Sequence, residues 1–260
     1  MKVALCLSGE PRDFQFVWND LLSKINYNDI DIFIHSWHSN SDISNLPEHK
    51  ERGGINYQVH LNQIKSSQYI NFVKPVDFIV EDYYKSHPYI RFLPYFLPST
   101  ITRMYSMFYG IQAVKKLVDI SKYDYIIRLR PDLYIDKNLD WDIIKNLLQI
   151  SPRSVLMPDL FINIGNSDKP WTQDSDQCPD FMFIYKSDNP LFHDVYDVIH
   201  EFCGLHIHKD FYTAVGELPS IPEQYLAAYL RSKGSLAIKM DLKAQPARQR
   251  IQYLNGLDIF

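Results

Sequence analysis

The sequence predicts an α/β fold, a mixed, mostly parallel sheet flanked by helices. Three observations predict it. Val3–Leu7 is a short continuous apolar run ended by Ser8-Gly9, the pattern of a strand buried on both faces. Arg12–Ile25 then places Phe14, Val17, Trp18, Leu21, Leu22 and Ile25 at helical spacing. Asp29–Ile34 follows as a second strand, ending in His35-Ser36-Trp37-His38. Strand, helix, strand with polar groups at the strand ends opens a doubly wound arrangement.

The remaining elements follow in order. Residues 40–54 are polar, carry Pro47, Gly53 and Gly54, and read as a surface loop. Val76–Val80 is a third strand. Ser86–Ser99 alternates prolines with aromatic residues and predicts irregular structure, a packed aromatic loop or a lid. Ser99-Thr100 is a candidate N-cap for a helix over Ile101–Ile120. Tyr125–Leu129 is a strand, and Trp141–Ile150 is a helix capped by Asp140. Val155–Met157 and Phe161–Ile164 are short strands, followed by a polar loop from Gly165 to Pro179. Phe181–Tyr185 is a strand, Asn189–Phe202 and Pro222–Lys233 are helices, and Leu236–Met240 is the last strand before a mixed tail. With no repeat or linker in view, one domain over residues 1–260 is the economical reading.

Composition narrows the function. The chain has 260 residues, 46% of them hydrophobic, and a net charge of -4, so a broad nucleic-acid surface is not expected. The 18 Tyr and 15 Phe are a heavy aromatic load that belongs mostly to the core. Cys6, Cys178 and Cys203 have no metal-ligand spacing and suit a reducing compartment. The apolar start is too short for a signal peptide, and no run reaches the length of a membrane span. A soluble, cytoplasmic protein is the expectation, with peripheral membrane contact through exposed aromatics left open.

The most informative stretch is the end of the fourth strand, where Arg128, Arg130, Pro131 and Asp132 follow apolar residues. Burying unpaired ions costs several kcal/mol, so charges at a core strand's end need charged partners. Open α/β sheets bind ligands at the carboxyl ends of their strands. Two cations and one anion there suit a phosphate-bearing ligand, with or without a metal ion. Arg128 and Arg130 are two apart, which on a continuing strand puts both on one face, with Asp132 extending it. The structural alternative is an ion pair in which one Arg satisfies Asp132.

Other constellations are weaker. Ser8-Gly9-Glu10-Pro11-Arg12 offers close backbone approach at Gly9 and a donor fork at Arg12, or is simply a tight turn with a surface Arg. It is neither a P-loop nor a Gly-x-Gly-x-x-Gly motif. The acids of Asp174-Ser175-Asp176 and Asp180 supply a candidate general base, or a solvated loop. Glu223 sits in a Pro-started first helical turn, where ordinary helix-start chemistry accounts for it.

In order along the chain, "ALCLSGEPR", "DIFIHSW", "SMFYGIQAVKKL…YDYIIRLRPDLYI", and "SDQCPDFMFIYKS" followed by "PEQYLAAYL" resemble nucleotide-sugar-dependent glycosyltransferases of the GT-A, Rossmann-like fold, of the kind found in bacterial and viral polysaccharide loci. The resemblance implies a donor-nucleotide half over residues 1–135 and an acceptor half over 136–260. It implies transfer of a sugar, with inversion, from a nucleoside diphosphate sugar to a hydroxyl of a glycan or glycoconjugate acceptor. Ser8, Gly9, Arg12, His35, Arg103, Arg128 and Arg130 would hold the nucleotide and its diphosphate. Asp132 matches the second acid of the family's Asp-x-Asp motif and would bind Mn²⁺ or Mg²⁺, although Arg130 stands where the first acid is usual. Asp180, Asp176 and Glu223 are the catalytic candidates, Asp176 matching the family's Asp-Gln step. The alternatives are metal-independent neutralisation by Arg128 and Arg130, and a non-catalytic nucleotide- or glycan-binding module derived from a transferase.

Overall fold

A computed structural model describes residues 1–9, 11, 14–38, 66–82, 99–160, 181–190, 226, 230 and 234–246. Its strands are β1 (Val3–Ser8), β2 (Ile30–His38), β3 (Asp77–Asp82), β4 (Tyr125–Leu129), β5 (Leu133–Ile135), β6 (Ser154–Leu160), β7 (Met182–Lys186) and β8 (Leu236–Pro246). Its helices are α1 (Phe14–Ile25), α2 (Ser66–Val73), α3 (Ser99–Lys115) and α4 (Trp141–Leu148). The strands form one sheet in the order β3-β2-β1-β4-β7-β6-β8-β5. The α/β class with a mixed, mostly parallel sheet is therefore the observed one.

The first half of the sheet is parallel. β1 pairs with β2 and with β4, and β2 pairs with β3, all in parallel register. From β1 the chain winds outward through α1 to β2 and then β3. It returns through α3 to β4, on the other side of β1. The winding direction thus reverses between β1 and β4. β7 then runs antiparallel to β4 and β6, β8 lies parallel to β6, and β5 closes the far edge antiparallel to β8.

Side-chain alternation divides the core between the two sheet faces. Ala4 and Cys6 of β1 join Phe108, Ile111 and Val114 of α3, together with Leu226 and Leu230. Val3, Leu5 and Leu7 face the other way, toward Phe14, Trp18 and Leu21 of α1, Tyr69 of α2 and Ile144 of α4. A strand covered on both faces carries no polar positions, which is why β1 reads as an unbroken apolar run. Burial also makes Cys6 inert: enclosure pushes its thiol up to about 12, against the opposing pull of Arg128.

Several boundaries differ from the sequence reading. β2 continues through His38, so His35 lies within the strand, opposite Ser8 and Ile79. α3 starts at Ser99 and stops at Lys115, five residues before the expected Ile120, and a 3-10 turn at Ile120–Lys122 leads into β4. β8 runs six residues past Met240, held by its pairing with β5 and β6. α2 was not anticipated. Asp140 does cap α4, accepting from Asp142 N at 3.1 Å and Ile143 N at 3.0 Å. Leu226 and Leu230 are helical and buried, four residues apart within the expected Pro222–Lys233 helix. Phe161–Ile164, the Gly165–Pro179 loop and most of Asn189–Phe202 lie outside the described residues. Among the described residues, no helix is long and apolar enough to cross a membrane.

Candidate functional site

The reversal between β1 and β4 brings two sequence-distant turns together. At the end of β1 the chain passes through Gly9 at φ +125°, a conformation that L side chains rarely adopt. Gly9 N donates to His35 O at 3.2 Å, closing the turn onto β2. A Cβ at Gly9 would lie 3.9 Å from Pro131 Cδ, so the turn after β1 faces the turn after β4. Doubly wound sheets bind ligands at the carboxyl ends of their strands where the winding reverses, and the turns after β1 and β4 meet at that place.

The charged residues in β4 and just past its end divide in two. Arg128 is fully enclosed and is the largest fully buried side chain of the described residues. Its Nη2 donates to Ser8 Oγ at 3.3 Å, and its guanidinium carbon stands 5.5 Å from the centre of the Phe183 ring. Arg130 lies just past the strand, anchored by its N–H to Phe181 O at 2.9 Å. The chain turns at Pro131-Asp132 before β5, and the Arg130 side chain meets Asp132 across that turn. Nε donates to Oδ1 at 2.9 Å and Nη2 to Oδ2 at 2.8 Å. Such a two-pronged contact is the strongest geometry for a guanidinium and a carboxylate. The Asp132 side chain is 1% exposed and that of Arg130 is 23% exposed. The structural alternative raised above, an ion pair at Asp132, is thus present, with the Asp132 side chain enclosed and the Arg130 side chain partly exposed.

Beside these turns lies a third group, in which sequence reasoning named His35 and missed Glu81 and Tyr109. His35 Nε2 is 3.0 Å from Glu81 Oε2, and Tyr109 Oη donates to Glu81 Oε1 at 3.1 Å. His35 is completely buried. A Cβ at Gly110 would stand 3.0 Å from His35 Nδ1 and 3.7 Å from Ser8 Cβ, so α3 packs directly on the ends of β1 and β2. Glu81 sits in an edge strand that reads as ordinary, and nothing in its local pattern marks it. On the observed register His35 lies opposite Ile79 and Glu81 opposite Trp37, so the two residues sit two positions apart on adjacent parallel strands.

The His35 hydrogen bond, more than any other influence, holds the Glu81 carboxyl below its ordinary value, while partial burial opposes it. A depressed folded value means that this contribution to stability is complete above the unfolded value and disappears as pH falls through the folded one. Urea midpoints measured from pH about 6 to about 3 are expected to fall less steeply for Glu81→Gln than for the parent chain. Parallel curves would rule out a linkage at Glu81.

Of the residues expected to hold a nucleotide, Ser8, His35 and Arg128 are therefore buried, and Gly9 and Arg130 reach the surface. Arg103 falls within α3, described there by its backbone. Arg12, Asp176, Asp180 and Glu223 lie outside the described residues; Phe181, which follows Asp180, begins the described stretch that holds Arg130. The arrangement at Asp132 does not fit a divalent ion. Both carboxylate oxygens accept from a guanidinium, and among the described residues no group of three or more His, Cys, Asp or Glu could hold a metal.

No protein-family model matches the chain, and no curated protein sequence matches it. Among solved structures it is similar to mouse xyloside xylosyltransferase 1 in its apo form, at 11% identity and TM-score 0.42, over 92% of this chain and 85% of that one. It is also similar to a putative glucose-1-phosphate thymidylyltransferase from Bacillus anthracis in complex with a sucrose, at 13% identity and TM-score 0.38, over 100% and 97%.

Proposed function

We propose that this chain is a nucleotide-sugar-dependent glycosyltransferase. It would move a sugar from a nucleoside diphosphate donor to a hydroxyl of a glycan acceptor. One observation carries the reading: among the described residues the winding of the parallel half of the sheet reverses between β1 and β4, with a glycine turn after β1 and Arg130 after β4. A doubly wound sheet binds phosphate-bearing ligands at that place, and an arginine fork matches phosphate oxygens. The resemblance of the sequence segments to GT-A transferases supplies the reaction class.

In this reading the Gly9 turn lets the donor approach the backbone, and Arg130 meets the diphosphate. Ser8, Arg128 and the His35–Glu81–Tyr109 group lie underneath and keep the two turns in place. As the glycosidic bond breaks, negative charge gathers on the leaving diphosphate, and a preplaced cation lowers the barrier. Asp180 or Asp176 would take the proton from the acceptor hydroxyl, with Glu223 a weaker candidate.

The test is a thermal-shift panel of uridine, guanosine, adenosine, cytidine and thymidine diphosphates and their sugars. A ligand bound only by the native state raises apparent stability by RT ln(1 + [L]/Kd). One base family is expected to raise the melting temperature, and its nucleotide sugar is expected to be slowly hydrolysed. Binding without hydrolysis or transfer would favour the non-catalytic module, and no shift with any member would remove the proposal.

A further inference from the structure

A divalent ion on Asp132 would need at least one carboxylate oxygen at about 2.0–2.2 Å. Here a cation already holds both oxygens: Arg130 donates to Oδ1 at 2.9 Å and to Oδ2 at 2.8 Å. A metal ion would have to drive that guanidinium off a carboxylate that is 1% exposed. The carboxylate would lose two charge-assisted hydrogen bonds in the exchange. No second acid stands beside Asp132 in sequence to share the ion, because Arg130 and Pro131 precede it and Leu133 follows. Position, charge and hydrogen bonding thus all give the cation's place to Arg130.

The orientation of the pair adds to this. The Asp132 side chain is enclosed and the Arg130 side chain is partly exposed, at 1% and 23%. Two parallel bonds fix the plane of the guanidinium, so little rotamer freedom is left to lose when it meets an anion. Its backbone is fixed as well, through Arg130 N to Phe181 O at 2.9 Å.

We infer that Arg130 takes the place of the metal ion at this site, that Asp132 is its positioning residue and not a metal ligand, and that the chain binds a nucleoside diphosphate without a divalent cation. The inference rests on the transferase reading above. The leaving diphosphate then meets a fixed organic cation, and departure needs no ion exchange.

The experiment is calorimetric titration of the full chain with the five nucleoside diphosphates, once in EDTA and once in saturating Mn²⁺. The dissociation constant of the preferred nucleotide is expected to agree within about threefold between the two conditions. Binding that weakens tenfold or more in EDTA would overturn the inference while leaving the transferase reading standing. Absence of binding in both conditions would overturn that reading and this inference with it. Asp132→Asn is expected to weaken binding at least about tenfold in EDTA, where a metal ligand would have nothing to lose. Unchanged affinity in EDTA would overturn the positioning role. The double variant Arg130→Met with Asp132→Leu removes both charges together and leaves no buried ion behind. It is expected to melt cooperatively and to lose at least about tenfold in nucleotide affinity, and retained affinity would overturn the role of Arg130.

Discussion

Replacing Asp132 with Ala is expected to cost about 3 kcal/mol of folding stability, read from urea unfolding at neutral pH. Its carboxylate is 1% exposed and accepts two hydrogen bonds from one guanidinium. Removing one member of a buried pair leaves the other without its counter-charge, which typically costs about 3–5 kcal/mol. Arg130 is 23% exposed and regains some hydration, which places the loss toward the lower end of that range. One further effect decides little: Tyr69, whose hydroxyl burial first and the Asp132 charge second push well above its ordinary value, is relieved of a nearby anion. A measured loss below about 1 kcal/mol would be that of an exposed pair and would contradict the enclosure of Asp132.

Phe14→Ala is expected to cost about 3–5 kcal/mol, with Phe14→Leu recovering more than half of it. Phe14 opens α1 and is completely buried. Its ring meets Tyr69 edge-on at 4.5 Å and Phe72 at 5.5 Å, both on α2. Truncation removes a large apolar surface and leaves a cavity bounded by two helices and a sheet, which cannot close without moving one of them. The consequence reaches the site through Tyr69, which lies close enough to Asp132 to feel its charge. A loss below about 2 kcal/mol would mean that α2 follows the cavity inward. It would show the contact between α1 and α2 to be soft.

Periodicity made β1, α1, β4 and α4 legible because each is governed by local rules. An apolar run covered on both faces, a helical stripe and an Asp cap are all written within a few residues. α2 escaped notice because its buried positions, Tyr69 and Val73, span little more than one turn. β8 was cut short at Met240 because its later residues are held by pairing with β5, a strand about a hundred positions earlier. The sequence alone leaves the pairing of Arg130 with Asp132 as one of two readings. The expectation of a common face for Arg128, Arg130 and Asp132 assumed a strand continuing past Leu129, and the strand stops there, with a turn at Pro131-Asp132.

The linear sequence determined the α/β class and the concentration of charge after β4, since hydrophobic period and residue type suffice for both. Which of those charges is enclosed and which reaches the surface was decided only by the tertiary structure. Exposure depends on what packs above a side chain: Ser8 and Phe183 come to Arg128 from other strands. The His35–Glu81–Tyr109 group likewise exists only because two parallel strands and one helix converge. Contacts between segments far apart in the chain leave no local pattern, because no short-range rule selects them.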